Sequence, residues 1–180
     1  MPKQNYTVFE TFVGAGGSYL GFKEEKFKSV YVNDINKDCL KTLLYNNPNL
    51  QDENVYIDSS DISEISSREL YKKLKGINKG DVDVFFGGIV CKGFSLAGER
   101  SPNDIRNYLY RKQLELVQEF MPKISIIENV TALLNAKILS PNTPIEIKNK
   151  VDIVWKNLEN YKGEKSSLRK KKYDNKRYRK

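Results

Sequence analysis

Apolar residues in the first 130 positions fall into short β-rich runs separated by stretches of helical spacing, the pattern of a parallel sheet joined by crossover helices. Tyr6 to Phe12 predicts a first strand, followed by the glycine turn Gly14-Ala15-Gly16-Gly17 and a short helix from Ser18. Ser29 to Val32 predicts a second strand ending at Asn33-Asp34. Asp38 to Tyr45 has helical spacing through Cys39, Leu40, Leu43 and Leu44, and Asn46-Asn47-Pro48-Asn49 stops it. Val55 to Ile57 reads as a third strand leading to Asp61-Ile62-Ser63, and Ser67 to Leu74 as the helix after it. Asp81 to Phe86 reads as a strongly apolar fourth strand, as a buried central strand should be, and it leads into Gly87-Gly88 and a loop that carries Cys91. Arg106 to Phe120 predicts a helix, and Ile124 to Ile127 a fifth strand that ends at Glu128-Asn129. Beyond residue 130 the periodicity fades, and only Val151 to Leu158, around Trp155, has helical spacing.

The polar residues singled out by this reading all follow the C-terminal end of a predicted strand, where open α/β sheets bind their ligands. At 180 residues, 39% apolar and 30% charged, the chain suits one globular domain. It contains no apolar run long enough to span a bilayer and no apolar stretch near its N-terminus, so the expected location is the cytoplasm, without a membrane. Two cysteines, Cys39 and Cys91, are too few for a disulfide framework or a four-thiolate zinc site. With no histidine in the chain, chemistry must run on Cys, Asp, Glu or Lys, and no metal is expected. Charge is unevenly spread. Of the 31 basic and 23 acidic residues, ten basic and two acidic lie in positions 161–180, so the formal charge of +8 belongs to that segment. Such a segment can hold nucleic-acid phosphates at low salt, although the reading preferred from composition is a disordered, solvated tail.

Each candidate site has two readings. Gly14, Gly16 and Gly17 let the backbone turn tightly and approach a ligand, and Asp34, twenty positions after Gly14, can accept hydrogen bonds from ribose hydroxyls. The next glycine is Gly21, so the spacing fits a nucleoside-bearing cofactor better than NAD; a purely structural turn is the other reading. Asp61 can accept from an adenine amino group or simply cap the next helix. Cys91, in a Gly-flanked loop after a buried strand, is a candidate nucleophile, whereas Cys39 on a helix's apolar face reads as an inert small hydrophobe. Glu128 ends an apolar strand, where partial desolvation would favour a protonated, hydrogen-donating carboxyl; a surface strand end is the alternative.

In this order the segments resemble the DNA cytosine-5 methyltransferases. Phe12-Val13-Gly14-Ala15-Gly16-Gly17 resembles the family's first motif, Asp34 its ribose-binding acid, Asp61 its adenine-contacting acid, Gly87 to Ser95 its nucleophile loop, and Glu128-Asn129-Val130 its Glu-Asn-Val motif. Ser95-Leu96-Ala97-Gly98 and Asp104 through Arg106-Asn107-Tyr108 resemble the segment after the nucleophile. The resemblance implies an α/β, Rossmann-like methyltransferase fold with a mostly parallel sheet, helices on both faces and a truncated C-terminal side. It implies S-adenosylmethionine as methyl donor, held by Phe12, Gly14, Gly16, Gly17, Asp34, Asp61 and Ile62, and DNA as partner, as in restriction-modification. It also implies that Cys91 adds to C6 of cytosine, creating an enamine that takes the methyl at C5, while Glu128 protonates or hydrogen-bonds N3; the base must leave the duplex to be reached.

Two departures stand out. Val90-Cys91-Lys92 replaces the usual Pro-Cys-Gln, and nothing after Val130 resembles the family's Arg-bearing motif, target-recognition region or final motif. The expected organisation is therefore an incomplete catalytic domain over 1–135, a helical extension over 136–160 and the basic tail over 161–180. Three functional readings follow: a methyltransferase half completed by a second polypeptide carrying target recognition, a non-catalytic remnant that keeps cofactor or DNA binding, and a nicotinamide-dependent oxidoreductase, which the glycine spacing and the lack of a recognisable hydride-transfer site disfavour.

Overall fold

A computed structural model describes residues 5–51, 53–89 and 101–177, with the side chains of 132 and 171–177 left aside. The chain divides into two compact units, Met1–Val90 with Tyr108–Asn129, and Cys91–Asn107 with Val130–Lys180.

The first unit is a five-stranded sheet of β1 (Thr7–Thr11), β2 (Lys28–Asn33), β3 (Tyr56–Asp58), β4 (Val84–Gly88) and β5 (Ile124–Glu128), in the order β3-β2-β1-β4-β5. Every pairing is parallel, running from Thr7 opposite Lys28 on one side of β1 to Gly88 opposite Glu128 across β4 and β5. Parallel neighbours require crossovers. These are α1 (Gly17–Glu24), α2 (Lys37–Asn46), α3 (Ser67–Lys73) and α4 (Leu109–Phe120). Because successive strand residues face opposite sides, β2 divides its side chains between two cores. Tyr31 packs with Phe9, Phe85, Leu70, Leu116 and Phe120 on the α3/α4 side, and Val32 packs with Val13, Tyr19, Leu40 and Leu43 on the α1/α2 side. Phe9 anchors the first cluster, its ring stacked 4.2 Å from Tyr31 and 4.5 Å from Phe85. The helices thus cover both faces, as expected.

Local chemistry sets the boundaries. The Asn36 side chain caps α2 by accepting from the amides of Asp38 and Cys39, and Cys39 is a half-buried free thiol on that helix. The fourth strand starts three residues later than the apolar pattern predicts, because the acids at its head make other contacts. Asp81 accepts from the Asn78 amide, and Asp83 accepts from both the amide and hydroxyl of Thr7. The strand instead continues through Gly87 and Gly88, which lack the side chains that would have advertised it.

In the second unit the principal element is α5, Ile145–Arg177, 33 residues long. The segment expected as a disordered tail over 161–180 is therefore helical as far as Arg177. Lys, Arg and Glu are strong helix formers, Glu146 lies at the N-terminal end, and Lys162 bonds Glu159 three residues earlier at 2.7 Å. Loss of apolar periodicity removes a packing face, not helical propensity. In the same unit Asn103 donates to Asp152 at 2.8 Å, and the Leu139 amide donates to the Pro102 carbonyl at 2.8 Å. No helix among the described residues is long and apolar enough to cross a membrane.

Candidate functional site

The five strands bring their C-terminal ends to one edge of the first unit, and hydrogen bonds tie these ends together. β1 leaves the sheet at Phe12, which takes a left-handed φ of +56°. Such a conformation costs a non-glycine residue on the order of 1 kcal/mol and persists only where neighbours enforce it. Val13 then buries its side chain while its amide donates to the Asn33 carbonyl at 3.0 Å, fixing the turn to β2. Gly16, at φ +97°, precedes α1; a Cβ there would lie 2.5 Å from Leu43 Cδ1. At Gly14 and Gly17 a Cβ would meet nothing within 4 Å among the described residues, so toward them the turn presents bare backbone. An extended ligand can lie against main chain there without displacing a side chain.

Asp34 is the hinge of this arrangement. Its Oδ2 accepts from the Gly14 amide at 2.8 Å and its Oδ1 from the Asn36 amide at 2.8 Å, so one carboxylate joins the glycine turn to the start of α2. Each carboxylate oxygen has a second lone pair, which leaves capacity for a ligand hydroxyl. Beside it Ile35 is 62% exposed, an apolar surface that the sequence reading passed over because a single Ile in a turn carries no pattern.

Asp58 is a second residue the sequence reading missed. It is buried, accepts from the Tyr31 hydroxyl at 2.9 Å and the Ser60 amide at 2.9 Å, and its carbonyl receives the Asp34 amide at 3.2 Å. Asn33 completes the brace by donating to the carbonyls of Asp58 and Ser60. Asp61 caps a short 3-10 turn (Ile62–Glu64), its Oδ1 accepting from the amide and hydroxyl of Ser63 at 2.8 and 2.7 Å. Both readings of Asp61 remain compatible, since both contacts use one oxygen. Ile62 is 3% exposed and its side chain belongs to the α3/α4 core, so what it can offer a ligand is main chain.

β4 and β5 bring Glu128 to the same edge. A Cβ at Gly88 would lie 3.4 Å from Glu128 Oε2 and 4.0 Å from the Phe12 carbonyl oxygen, so the three segments converge at a glycine. All five residues of β5 are exposed, and the described residues do not provide the desolvation expected around Glu128. Gly87 holds a closer contact. The buried Gln113 amide from α4 occupies the space where a Cβ would stand, with Oε1 2.0 Å from that position, and Nε2 donates to the Ile126 carbonyl at 3.4 Å. Cys91, with Val90 and Lys92, lies outside the described residues.

Beneath the glycine turn sits one more unexpected acid. Glu10, in the middle of β1, is fully buried and neither carboxyl oxygen has a hydrogen-bond partner. Burial pushes its pKa up to about 7, and the nearby Ser18 and Ser29 hydroxyls pull it down less. The only hint in sequence is an acid inside an apolar strand four residues before Gly14. Among the described residues no group of three or more His, Cys, Asp or Glu could hold a metal ion.

Comparison with known proteins adds an independent finding. The family model for C-5 cytosine-specific DNA methylases matches residues 6–152. The Type II methyltransferase M.AgeI of Thalassovita gelatinovora is 37% identical over 128 residues, covering 71% of this chain and 28% of that protein. The Type II methyltransferase M.AquIA of Picosynechococcus sp. is 32% identical over 129 residues, covering 71% of this chain and 50% of that protein. A crystal structure described as a DNA modification methyltransferase encoded within an E. coli prophage superposes with a TM-score of 0.59 at 25% identity, covering 82% of this chain and 36% of the other. The chain thus spans about three-tenths of the length of most curated relatives it matches, from 28% of M.AgeI to 34% of M.Sau96I of Staphylococcus aureus.

Proposed function

The chain belongs to the C-5 cytosine-specific DNA methylase family, and from that premise we propose that it forms the methyl-donor and nucleophile half of a DNA cytosine-5 methyltransferase, completed by a polypeptide segment that carries target recognition. The observation that carries this reading is the Gly14–Asp34 bond at 2.8 Å, because it shapes an open glycine turn and a carboxylate into one cradle beside the exposed Ile35.

The residues present fit S-adenosylmethionine, which supplies an electrophilic methyl group. Gly14, Gly16 and Gly17 would face its chain through main chain, Asp34 would accept from ribose hydroxyls, and Ile35 would lie against the adenine ring. Asp61 would accept from the exocyclic amino group. Phe12 would act through its carbonyl and strained backbone, and Ile62 through its amide, since its side chain is in the core. Cys91 as thiolate would form the bond to C6 of an extruded cytosine, directing the ring's electron pair to C5. Glu128 would hold a proton at N3 as negative charge develops there. Exposure of Glu128 and all of β5 supports the second half of the proposal, because a carboxyl with this role needs a drier setting than the described residues give it.

Methyl transfer to duplex DNA from labelled S-adenosylmethionine, measured with the chain alone and with a co-expressed polypeptide bearing the remaining family motifs, tests this reading. Transfer that requires both polypeptides and disappears in Cys91→Ser is expected. Equal transfer by Cys91→Ser, or none under any pairing of folded chains, contradicts it. The latter result would favour the non-catalytic remnant.

A further inference from the structure

Helix α5 carries a feature that methyl transfer does not absorb. Lys162, Lys165, Arg169, Lys172 and Lys176 recur at intervals of three and four, which places them in one stripe along an α-helix. The two acids of this stretch, Glu164 and Asp174, fall on the other side of the helix at 3.6 residues per turn. Residues 161–170 are exposed throughout. Lys162 is engaged, bonded to Glu159 at 2.7 Å and lying 5.4 Å above the Trp155 ring.

From these observations we propose that the C-terminal half of α5 holds duplex DNA by its phosphates. Lys176 lies fourteen positions after Lys162, so the stripe is about 21 Å long at ~1.5 Å per residue. That length matches about six base pairs of duplex, whose phosphates present one negative charge per ~1.7 Å of axis. The charge complementarity is strong, with ten basic and two acidic residues in positions 161–180.

An anionic membrane is the other polyanionic surface available, and the pattern disfavours it. Membrane-surface helices place apolar residues and cations on opposite faces over the same length. Here they follow each other on one face. Ile147, Val151, Val154 and Leu158 occupy the stripe in the first half of α5, with cations from Lys162 onward. The choice of DNA among polyphosphates rests on the proposed function; the stripe itself does not.

The test compares two triple variants of the full chain with equal loss of charge. Lys165→Gln/Arg169→Gln/Lys172→Gln removes the stripe, whereas Lys170→Gln/Lys171→Gln/Arg177→Gln removes cations beside it. Gln keeps helical propensity, and circular dichroism verifies it. Binding of a labelled 20-base-pair duplex is measured by fluorescence anisotropy over a series of potassium chloride concentrations. The slope of log K against log[salt] should flatten by about 2.7 in the stripe variant, at ~0.9 per phosphate contact, and by less than one in the control. Equal flattening in both, no DNA binding by the folded wild type, or tighter binding to phosphatidylserine vesicles than to duplex at the same salt would overturn the proposal. Titration of the wild type with S-adenosylmethionine reports separately on the methyl-donor site, so failure of one reading is distinguishable from failure of the other.

Discussion

Glu10→Gln isolates the energetic consequence of placing an unpartnered acid beneath the glycine turn. Glu10 is fully buried, and its pKa rises from 4.5 to about 7. A carboxyl whose folded pKa is raised binds its proton more tightly in the folded chain than in the unfolded one. Its contribution to stability is therefore complete below about pH 4.5 and is lost as pH rises towards 7 and beyond. With 1.36 kcal/mol per pKa unit, the full loss is about 3 kcal/mol, of which roughly 2–3 kcal/mol falls between pH 5 and pH 8. Gln has nearly the same shape and cannot ionise. Urea denaturation of both chains across pH 5–8.5 should show the wild type weakening relative to Glu10→Gln as pH rises. The gap in midpoint at pH 8 should be about 1 M for a urea slope of ~2–3 kcal/mol/M. Asp83 and Asp104 have lowered pKa values, Asp83 through its Lys123 and Thr7 partners despite partial burial, and Asp104 through Arg106. Their contributions are lost only at acid pH, below this window, and cancel in the comparison. Parallel pH profiles for the two chains would refute the assignment of a buried, proton-holding Glu10.

Other substitutions test separate joints of the site. Gly16→Ala introduces a side chain at φ +97° and against Leu43, so it should destabilise the chain by about 1–2 kcal/mol, whereas Gly17→Ala, with open space around it, should be neutral or slightly stabilising in the same denaturation assay. Gly87→Ala should cost about 2–3 kcal/mol by driving a methyl into the Gln113 amide, and Gln113→Ala should recover most of that loss in the double variant, which a double-mutant cycle measures. Asp34→Asn keeps an acceptor for the Gly14 amide and should retain stability within about 1 kcal/mol while weakening S-adenosylmethionine; Asp34→Ala should lose both, read by denaturation and calorimetry side by side.

Much of the sheet was legible in the residues because parallel strands buried on both faces write themselves as apolar runs. Phe9, Tyr31, Val32 and Phe85 lie in such runs and form the two cores. The parts that were not legible depend on distant partners or on absent side chains. Gly87 and Gly88 lie in β4, but nothing in their own sequence reveals that Gln113 and Glu128 lean over them. Gly14 to Gly17 were readable as a turn, but Phe12 was read as strand, and the use of Asp34 to fasten the turn is a tertiary fact twenty residues away. Glu10 and Asp58 are isolated acids whose importance comes from burial. The charged half of α5 shows the converse limit, since a helix with no core face has no periodicity to announce it.

The central claim is that this chain carries its own methyl-donor site, built on the Gly14–Asp34 joint. Isothermal titration of the folded chain with S-adenosylmethionine, alongside Asp34→Ala and the off-site control Lys170→Gln, tests it directly. Saturable binding by the wild type and the control, abolished or at least tenfold weaker in Asp34→Ala, is the predicted result. A folded wild type that takes up no S-adenosylmethionine, or an Asp34→Ala variant that binds it as tightly, would contradict the account.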